Sequence, residues 1–254
     1  MATRGDGELA VELATAAGEL LLELRATALS GRELGARGDE LANELLIGGL
    51  RERRPGDAVL SEESADTVER LSAQRVWILD PLDGTREYCE PERSDWAVHV
   101  ALWEDGLLAA GAVALPAQLM VHDTNDPRLL PPRPDGPLRI AVSRSRPPAL
   151  VQQLAFELGA ELVPMGSAGV KATAVLRGEV DAYVHAGGQY EWDSAAPVAV
   201  CRAAGLFCSR IDGSPLLYNQ PDPKLPDLVV CRPEISAKLL ASIAIQLSPE
   251  ARVS

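Results

Sequence analysis

Between Glu8 and about Ala28 the apolar residues Leu9, Leu13, Ala16, Leu20 and Leu24 recur at helical spacing and predict a first amphipathic helix. A second helical pattern (Leu41, Leu45, Leu46, Leu50) stops at Pro55-Gly56. The apolar run Ala58 to Ser61 reads as a short strand ending in Glu62-Glu63, a helix is expected near Asp66 to Leu71, and Val76-Trp77-Ile78-Leu79 reads as a strand that delivers Asp80. Trp96 to Trp103 and Leu107 to Leu115 flank Glu104-Asp105-Gly106, a hairpin signal. With a further strand at Leu119 to His122, the first half of the chain is expected to be α+β, built on an antiparallel sheet.

Asn125 to Pro137 holds five prolines in thirteen residues, which neither a helix nor a central strand accommodates. It marks the expected boundary between an N-terminal half, 1–130, and a C-terminal half, 137–254, together forming one globular unit. Beyond it, apolar runs at Leu138 to Val142, Glu161 to Pro164, Asp181 to His185 and Leu228 to Cys231 alternate with helical patterns, as in an α/β layer.

At 254 residues and 46% hydrophobic composition the chain is long enough to bury a large core. With 24 Lys and Arg against 37 Asp and Glu, the formal charge of −13 argues against nucleic acid or an anionic membrane as partner. Cys89, Cys201, Cys208 and Cys231 show neither a C-x-x-C pair nor zinc spacing and read as reduced. Met1-Ala2-Thr3-Arg4-Gly5-Asp6 runs into the first helix without an apolar signal region, and Leu107 to Val121 is interrupted by Gly111, Pro116 and Gln118. A soluble, cytoplasmic protein is expected, with a homodimer left open.

The chemistry concentrates at Asp80-Pro81-Leu82-Asp83-Gly84-Thr85. Asp-Pro and Asp-Gly both favour turns, and a turn here brings two carboxylates and the Leu82 carbonyl together. Such mixed oxygen donors suit a hard divalent cation such as Mg²⁺. Gly84 permits close backbone approach, and Thr85 adds a hydroxyl and an N–H. Either carboxylate of Glu62-Glu63 reaches the same ion from its strand end, or serves as an ordinary acid at a helix start. Asp193, ahead of an apolar helix, reads as its N-cap, a role compatible with metal binding.

Glu62-Glu63-Ser64, Asp80-Pro81-Leu82-Asp83-Gly84-Thr85 and Trp192-Asp193-Ser194-Ala195-Ala196 resemble, in order and spacing, the three signatures of the lithium-sensitive inositol monophosphatase superfamily. Arg86-Glu87-Tyr88 is similar to the Lys-Glu-Phe of its 3′(2′),5′-bisphosphate nucleotidases, the CysQ type. The resemblance implies a layered α-β-α-β-α sandwich and two or three Mg²⁺ held by Glu62, Asp80, the Leu82 carbonyl, Asp83 and Asp193. It implies a substrate phosphate resting on the metals and on the Gly84 and Thr85 N–H groups, with Asp83 and Asp193 beside it. Asp39 stands where the family places the carboxylate that, with Thr85 and Glu62, completes the catalytic set by orienting water; read alone, it is the N-cap of the second helix. Ahead of Asp39, the family's Val-Thr is replaced by Gly35-Ala36-Arg37, a departure at the first loop and the third metal position.

Gly166-Ser167 opens a helix carrying Lys171, which reads either as an anion or hydroxyl site or as a plain cap. Arg86 meets a second phosphate or pairs with Glu90. His99 and His122 read as structural; His185, before Gly187-Gly188, is a candidate pocket residue. Haloacid dehalogenase phosphatases also carry Asp-Gly-Thr after a strand, but their nucleophilic Asp would fall at Pro81, so no aspartyl-phosphate forms. The expected reaction is hydrolysis of adenosine 3′,5′-bisphosphate to AMP, and of its sulfated relative, in sulfur assimilation. Inositol-1-phosphate or fructose-1,6-bisphosphate hydrolysis and a non-catalytic metal- or nucleotide-binding relative are the alternatives.

Overall fold

The computed structural model describes residues 4–248. The leading Met1-Ala2-Thr3 lies outside them. Two antiparallel helices open the chain, α1 (Arg4–Arg25) and α2 (Gly31–Arg53). A mixed sheet follows in the order β1 (Ala58–Ser61), β2 (Arg75–Asp83), β3 (Ala97–Glu104), β4 (Leu107–Leu115), β5 (Met120–Asp123). The expected antiparallel sheet is found in β2 to β5, and β1 adds a parallel strand at its edge beside β2. The helix expected near Asp66 to Leu71 is a short 3-10 segment, Val68–Ser72.

After the Pro-rich stretch, which holds no helix or strand, come β6 (Arg139–Ser143), α4 (Ala149–Leu158), β7 (Glu161–Met165), α5 (Ala168–Leu176), β8 (Ala182–Ala186), α6 (Glu191–Ala203), β9 (Phe207–Ser209), β10 (Asp227–Cys231) and α7 (Pro233–Leu247). They build a second mixed sheet in the order β7-β6-β8-β10-β9. The three-residue β9 is too short to leave a period-2 signal and was not legible in the sequence.

Three apolar layers hold these elements together. On one face of the first sheet, Trp77, Leu79, Val98, Val100 and Ala112 pack against Leu9, Leu21, Leu46 and Leu50 of α1 and α2. Its other face, with Ile78, Ala101 and Val113, meets Ala172 and Val175 of α5, Ala195 and Val198 of α6, and the inner face of the second sheet at Tyr183 and Val230. The outer face of that sheet, Ile140, Val142, Val184 and Val229, is covered by Leu154 of α4 and Leu239 and Ile243 of α7. The result is the α-β-α-β-α sandwich the resemblance implied.

Strand β2 is the spine. Because both of its faces are covered, it reads as a continuous apolar run, and Val76 to Leu79 are each at most 1% exposed. Burial of each such side chain is worth about 1.5–3 kcal/mol, so the position at which Asp80 emerges is fixed by the core. Among the described residues no helix is long and apolar enough to cross a membrane, and the four cysteines are free thiols.

Candidate active site

The Asp80–Asp83 segment is not the turn that its Asp-Pro and Asp-Gly pairs predict. It continues β2, pairing Asp80 with His99 and Asp83 with Ala97, and the register shifts between those two pairs. Three residues of β2 are matched by two of β3, and this one-residue slip is a bulge that lets carboxylates three apart face one side. Pro81 is tolerated there because a bulged residue owes no ladder hydrogen bond. The chain turns at Gly84, whose φ of 89° suits glycine, and Thr85 opens the single-turn helix α3 (Thr85–Tyr88).

Four acids from three segments converge. Asp80 is buried, and its Oδ1 accepts from the Leu82 N–H at 3.1 Å. Asp83 Oδ2 accepts from Ser167 Oγ at 2.5 Å and from the Gly169 N–H at 2.7 Å. Glu62 extends from the end of β1, and Asp193 lies at the third position of α6. Tyr190, not Asp193, is the N-cap of that helix. Asp193 serves the start of α6 by accepting the Tyr190 N–H at 2.7 Å.

The electrostatics of this cluster call for a cation. Burial, then the negative charges of Glu62, Asp83 and Asp193, push Asp80 well above the usual carboxylate range. Glu62 is an exposed residue, yet desolvation of its carboxyl, with the charges of Asp193 and Asp83, lifts it to about 7. Desolvation and Asp83 bring Asp193 to about 6. Asp83 alone goes down: burial opposes ionisation, but His99, Lys171 and the Gly169 N–H outweigh it and hold the carboxyl at about 2. Carboxylates that raise one another's pKa in this way offer a divalent cation a charge to neutralise, and their oxygen donors fit a hard one. Asp80, Asp83 and His99 also bring ligand atoms within 4.8 Å of one another.

A stability consequence follows with a definite sign. Glu62 and Asp193 have ordinary values of 4.5 and 3.8, so the folded chain keeps protons that the unfolded chain releases between about pH 4 and 7. Unfolding therefore releases protons, and stability falls as pH rises through that window. The lowered Asp83 acts oppositely, but only below its ordinary 3.8. In EDTA, the melting temperature is expected to drop by several degrees from pH 4.5 to 7.5, and saturating divalent cation should abolish the drop. A flat EDTA profile would show that the acids do not repel one another.

The N-cap reading of Asp39 is corrected: Ser30 is the cap, and Asp39 lies inside α2. Gly35-Ala36-Arg37 is helical rather than a loop. Gly35, and Gly38 three residues on, serve close packing. A Cβ on Gly35 would stand 2.9 Å from Thr85 Cγ2 and 3.0 Å from Cys89 Sγ, and one on Gly38 would stand 3.1 Å from Leu82 Cδ2. This approach brings Asp39 Oδ1 to 3.4 Å from Thr85 Oγ1, whose hydroxyl also lies 3.2 Å from the Leu82 carbonyl. Desolvation, then the charge of Glu63, pushes Asp39 to about 7.

The helix-start reading of Gly166-Ser167 is both a cap and part of the site. Ser167 Oγ accepts the Val170 N–H at 3.0 Å while donating to Asp83. The Gly166 N–H is taken by Asp95 Oδ2 at 2.6 Å. Lys171, nearly fully buried, turns its Nζ to the Gly166 and Ser167 carbonyls and over the Tyr183 ring. Arg86 is exposed and pairs with Glu90 at 3.7 Å. Glu87 and Tyr88 of that segment are buried, and Glu87, with Glu90, holds Arg144 at 2.9 and 2.8 Å. No local pattern announced Arg144, because its partners lie more than fifty residues away.

Asp83, Gly84, Glu87, Ser167, Lys171 and Asp193 line a cavity of about 240 Å³. A second cavity of about 540 Å³ shares Ser143, Ser145, His185 and Gly188 with it and carries Arg146. His185 thus lines the pocket, its Nε2 2.5 Å from the Gly187 carbonyl, and burial lowers it to about 4. A separate cavity of about 420 Å³ beside Leu22, Arg25 and Cys89 includes none of the acids, so chemistry selects the smaller one. His122 is buried on β5 and lines a cavity that includes none of the four acids.

The profile of the inositol monophosphatase family matches residues 7–128 and 137–247. The chain belongs to this family. It is 54% identical over 252 residues to the 3′-phosphoadenosine 5′-phosphate phosphatase of Mycobacterium leprae, covering 94% of this chain and 93% of that one. It is 29% identical over 192 residues to the 3′(2′),5′-bisphosphate nucleotidase CysQ of Escherichia coli, covering 71% and 78%. Among solved structures, CysQ from Bacteroides thetaiotaomicron superposes with a TM-score of 0.79 at 23% identity, over 90% of this chain and 97% of that one. Inositol monophosphatase II from Staphylococcus aureus gives 0.80 at 21%, over 94% and 96%. These structures share the family's fold.

Proposed function

We propose that the chain is an Mg²⁺-dependent phosphatase that removes the 3′-phosphate of adenosine 3′,5′-bisphosphate, giving AMP and inorganic phosphate, and acts likewise on the sulfated relative in sulfur assimilation. The observation that carries the reaction class is the meeting of Glu62, Asp80, Asp83 and Asp193 beside the Thr85–Asp39 pair. The 54% identity to a 3′-phosphoadenosine 5′-phosphate phosphatase supports the substrate.

Glu62, Asp80, the Leu82 carbonyl, Asp83 and Asp193 hold two or three Mg²⁺. When bound, Mg²⁺ neutralises phosphate charge and acidifies water. The N–H groups of Gly84 and Thr85 receive the phosphate oxygens. Asp39 orients the Thr85 hydroxyl, and that hydroxyl fixes the lone pair of the attacking water. A carboxylate with a pKa of about 7 is suited to accept its proton near neutral pH. The nucleoside and its second phosphate extend into the cavity that carries Arg146, the local cation a chain of charge −13 needs in order to hold a second anion.

The test is phosphate release from adenosine 3′,5′-bisphosphate, inositol 1-phosphate and fructose 1,6-bisphosphate, each with Mg²⁺ and then with EDTA. The adenosine bisphosphate is expected to give the highest kcat/KM, and EDTA should abolish release from all. Equal or better turnover of inositol phosphate would overturn the substrate. No release from any would indicate a non-catalytic relative.

A further inference from the structure

His99 is fully buried on β3, in the layer it shares with Ala97, Ala101 and Val113. An imidazole in such a layer is costly unless its nitrogens find partners, and this ring's partners are two of the clustered acids and the backbone beside a third. Nδ1 lies 3.1 Å from the Trp192 carbonyl, next to Asp193, and 3.9 Å from Asp80 Oδ2. Nε2 lies 3.2 Å from Asp83 Oδ2, an ion-pair contact without the alignment of a full hydrogen bond.

The opposing helix has been shaped to admit this ring. A Cβ on Gly169 would stand 2.1 Å from Nε2, so any other residue there displaces the imidazole. Glycine in a helix is disfavoured by about 1 kcal/mol relative to alanine, and here it serves two ends. It makes room for His99, and its N–H reaches Asp83 Oδ2 at 2.7 Å. One carboxylate oxygen of Asp83 thus meets Ser167 Oγ, the Gly169 N–H and His99 Nε2 together.

We propose that His99, with Gly169 as its socket, is a positioning residue that locks Asp83 Oδ2 and ties β2 to the start of α6, holding Asp83 and Asp193 in register for the cation. The inference rests on the metal-phosphatase reading above. Outer partners of metal ligands of this kind typically contribute about 10- to 100-fold in metal affinity.

Binding of Mn²⁺ as the probe, followed by electron paramagnetic resonance of the free ion, tests it on the whole chain, with a melting curve for each variant. His99→Leu should weaken binding about 10- to 100-fold, and the accompanying loss of phosphatase activity should be recovered by raising Mg²⁺. His99→Gln, which returns an amide near Nε2, should regain most of the affinity. Gly169→Ala should reproduce the weakening while keeping the histidine, and should have no further effect once His99→Leu has emptied the space. Gly169→Ala also carries the test if His99→Leu does not fold. Wild-type Mn²⁺ affinity in folded His99→Leu or in folded Gly169→Ala would overturn the proposal. Absence of Mn²⁺ binding to the wild type would instead overturn the metal-phosphatase reading.

Discussion

Asp80→Asn is expected to abolish cation-dependent phosphate release while raising the melting temperature of the EDTA-treated protein. The two effects share one cause. In the folded chain Asp80 is buried among Glu62, Asp83 and Asp193, and its ionised form is disfavoured by desolvation and then by those charges. Asparagine keeps the oxygen that accepts the Leu82 N–H and removes the charge. The metal-free fold therefore gains stability, at about 2–4 °C per kcal/mol in a chain of this size. The same substitution removes a direct ligand of the proposed site, so Mg²⁺ affinity should fall by more than the roughly 100-fold attached to an outer partner. Thermal melts in EDTA and in saturating Mg²⁺, beside an activity assay, give both readings. A variant less stable than wild type in EDTA, or one with normal Mg²⁺ activation, would show that Asp80 is not a strained ligand. Asp83→Asn should also lose the cation, but it disturbs the Ser167 and Gly169 contacts and is the less clean experiment.

Thr85→Ala should separate binding from chemistry. The Thr85 hydroxyl contacts Asp39 and the Leu82 carbonyl, and none of the four clustered acids depends on it for a hydrogen bond. Metal affinity and KM should stay near wild type while kcat falls by about 10²- to 10⁴-fold, the usual contribution of a positioned proton acceptor. Asp39→Asn should lose a similar factor, and the double variant should be little worse than either, because groups acting as one unit are not additive. Normal turnover by Thr85→Ala would remove the pair from the mechanism. Loss of metal binding by Thr85→Ala would reassign the threonine to the cation site.

Much of the site was legible because its chemistry is local. Asp80 and Asp83, with Gly84 and Thr85, lie within six residues at the end of an apolar strand, and Pro81 alone excludes a covalent aspartyl intermediate. What was misread were conformations that local propensity describes poorly. Asp80 to Asp83 reads as a turn by its Asp-Pro and Asp-Gly pairs, but pairing with β3 overrides that preference and makes a bulged strand. Gly35-Ala36-Arg37 is expected in a first loop before Asp39, but Gly35 and Gly38 lie inside α2, where the missing side chains let the helix approach Thr85 and Leu82.

By itself, the sequence determined the order of helices and most strands, the acids available and the water-based reaction they imply, since hydrophobic period and motif spacing are properties of neighbours along the chain. The tertiary structure decided which groups meet. It set Asp39 opposite Thr85 from a helix interior, turned Lys171 inward, gave Glu87 its Arg144, and placed His99 directly across the strand from Asp80. Each of those contacts joins residues on separate elements or is fixed by their packing. Sheet register and the space left by a glycine decide such contacts, and both are set only when the layers close on one another.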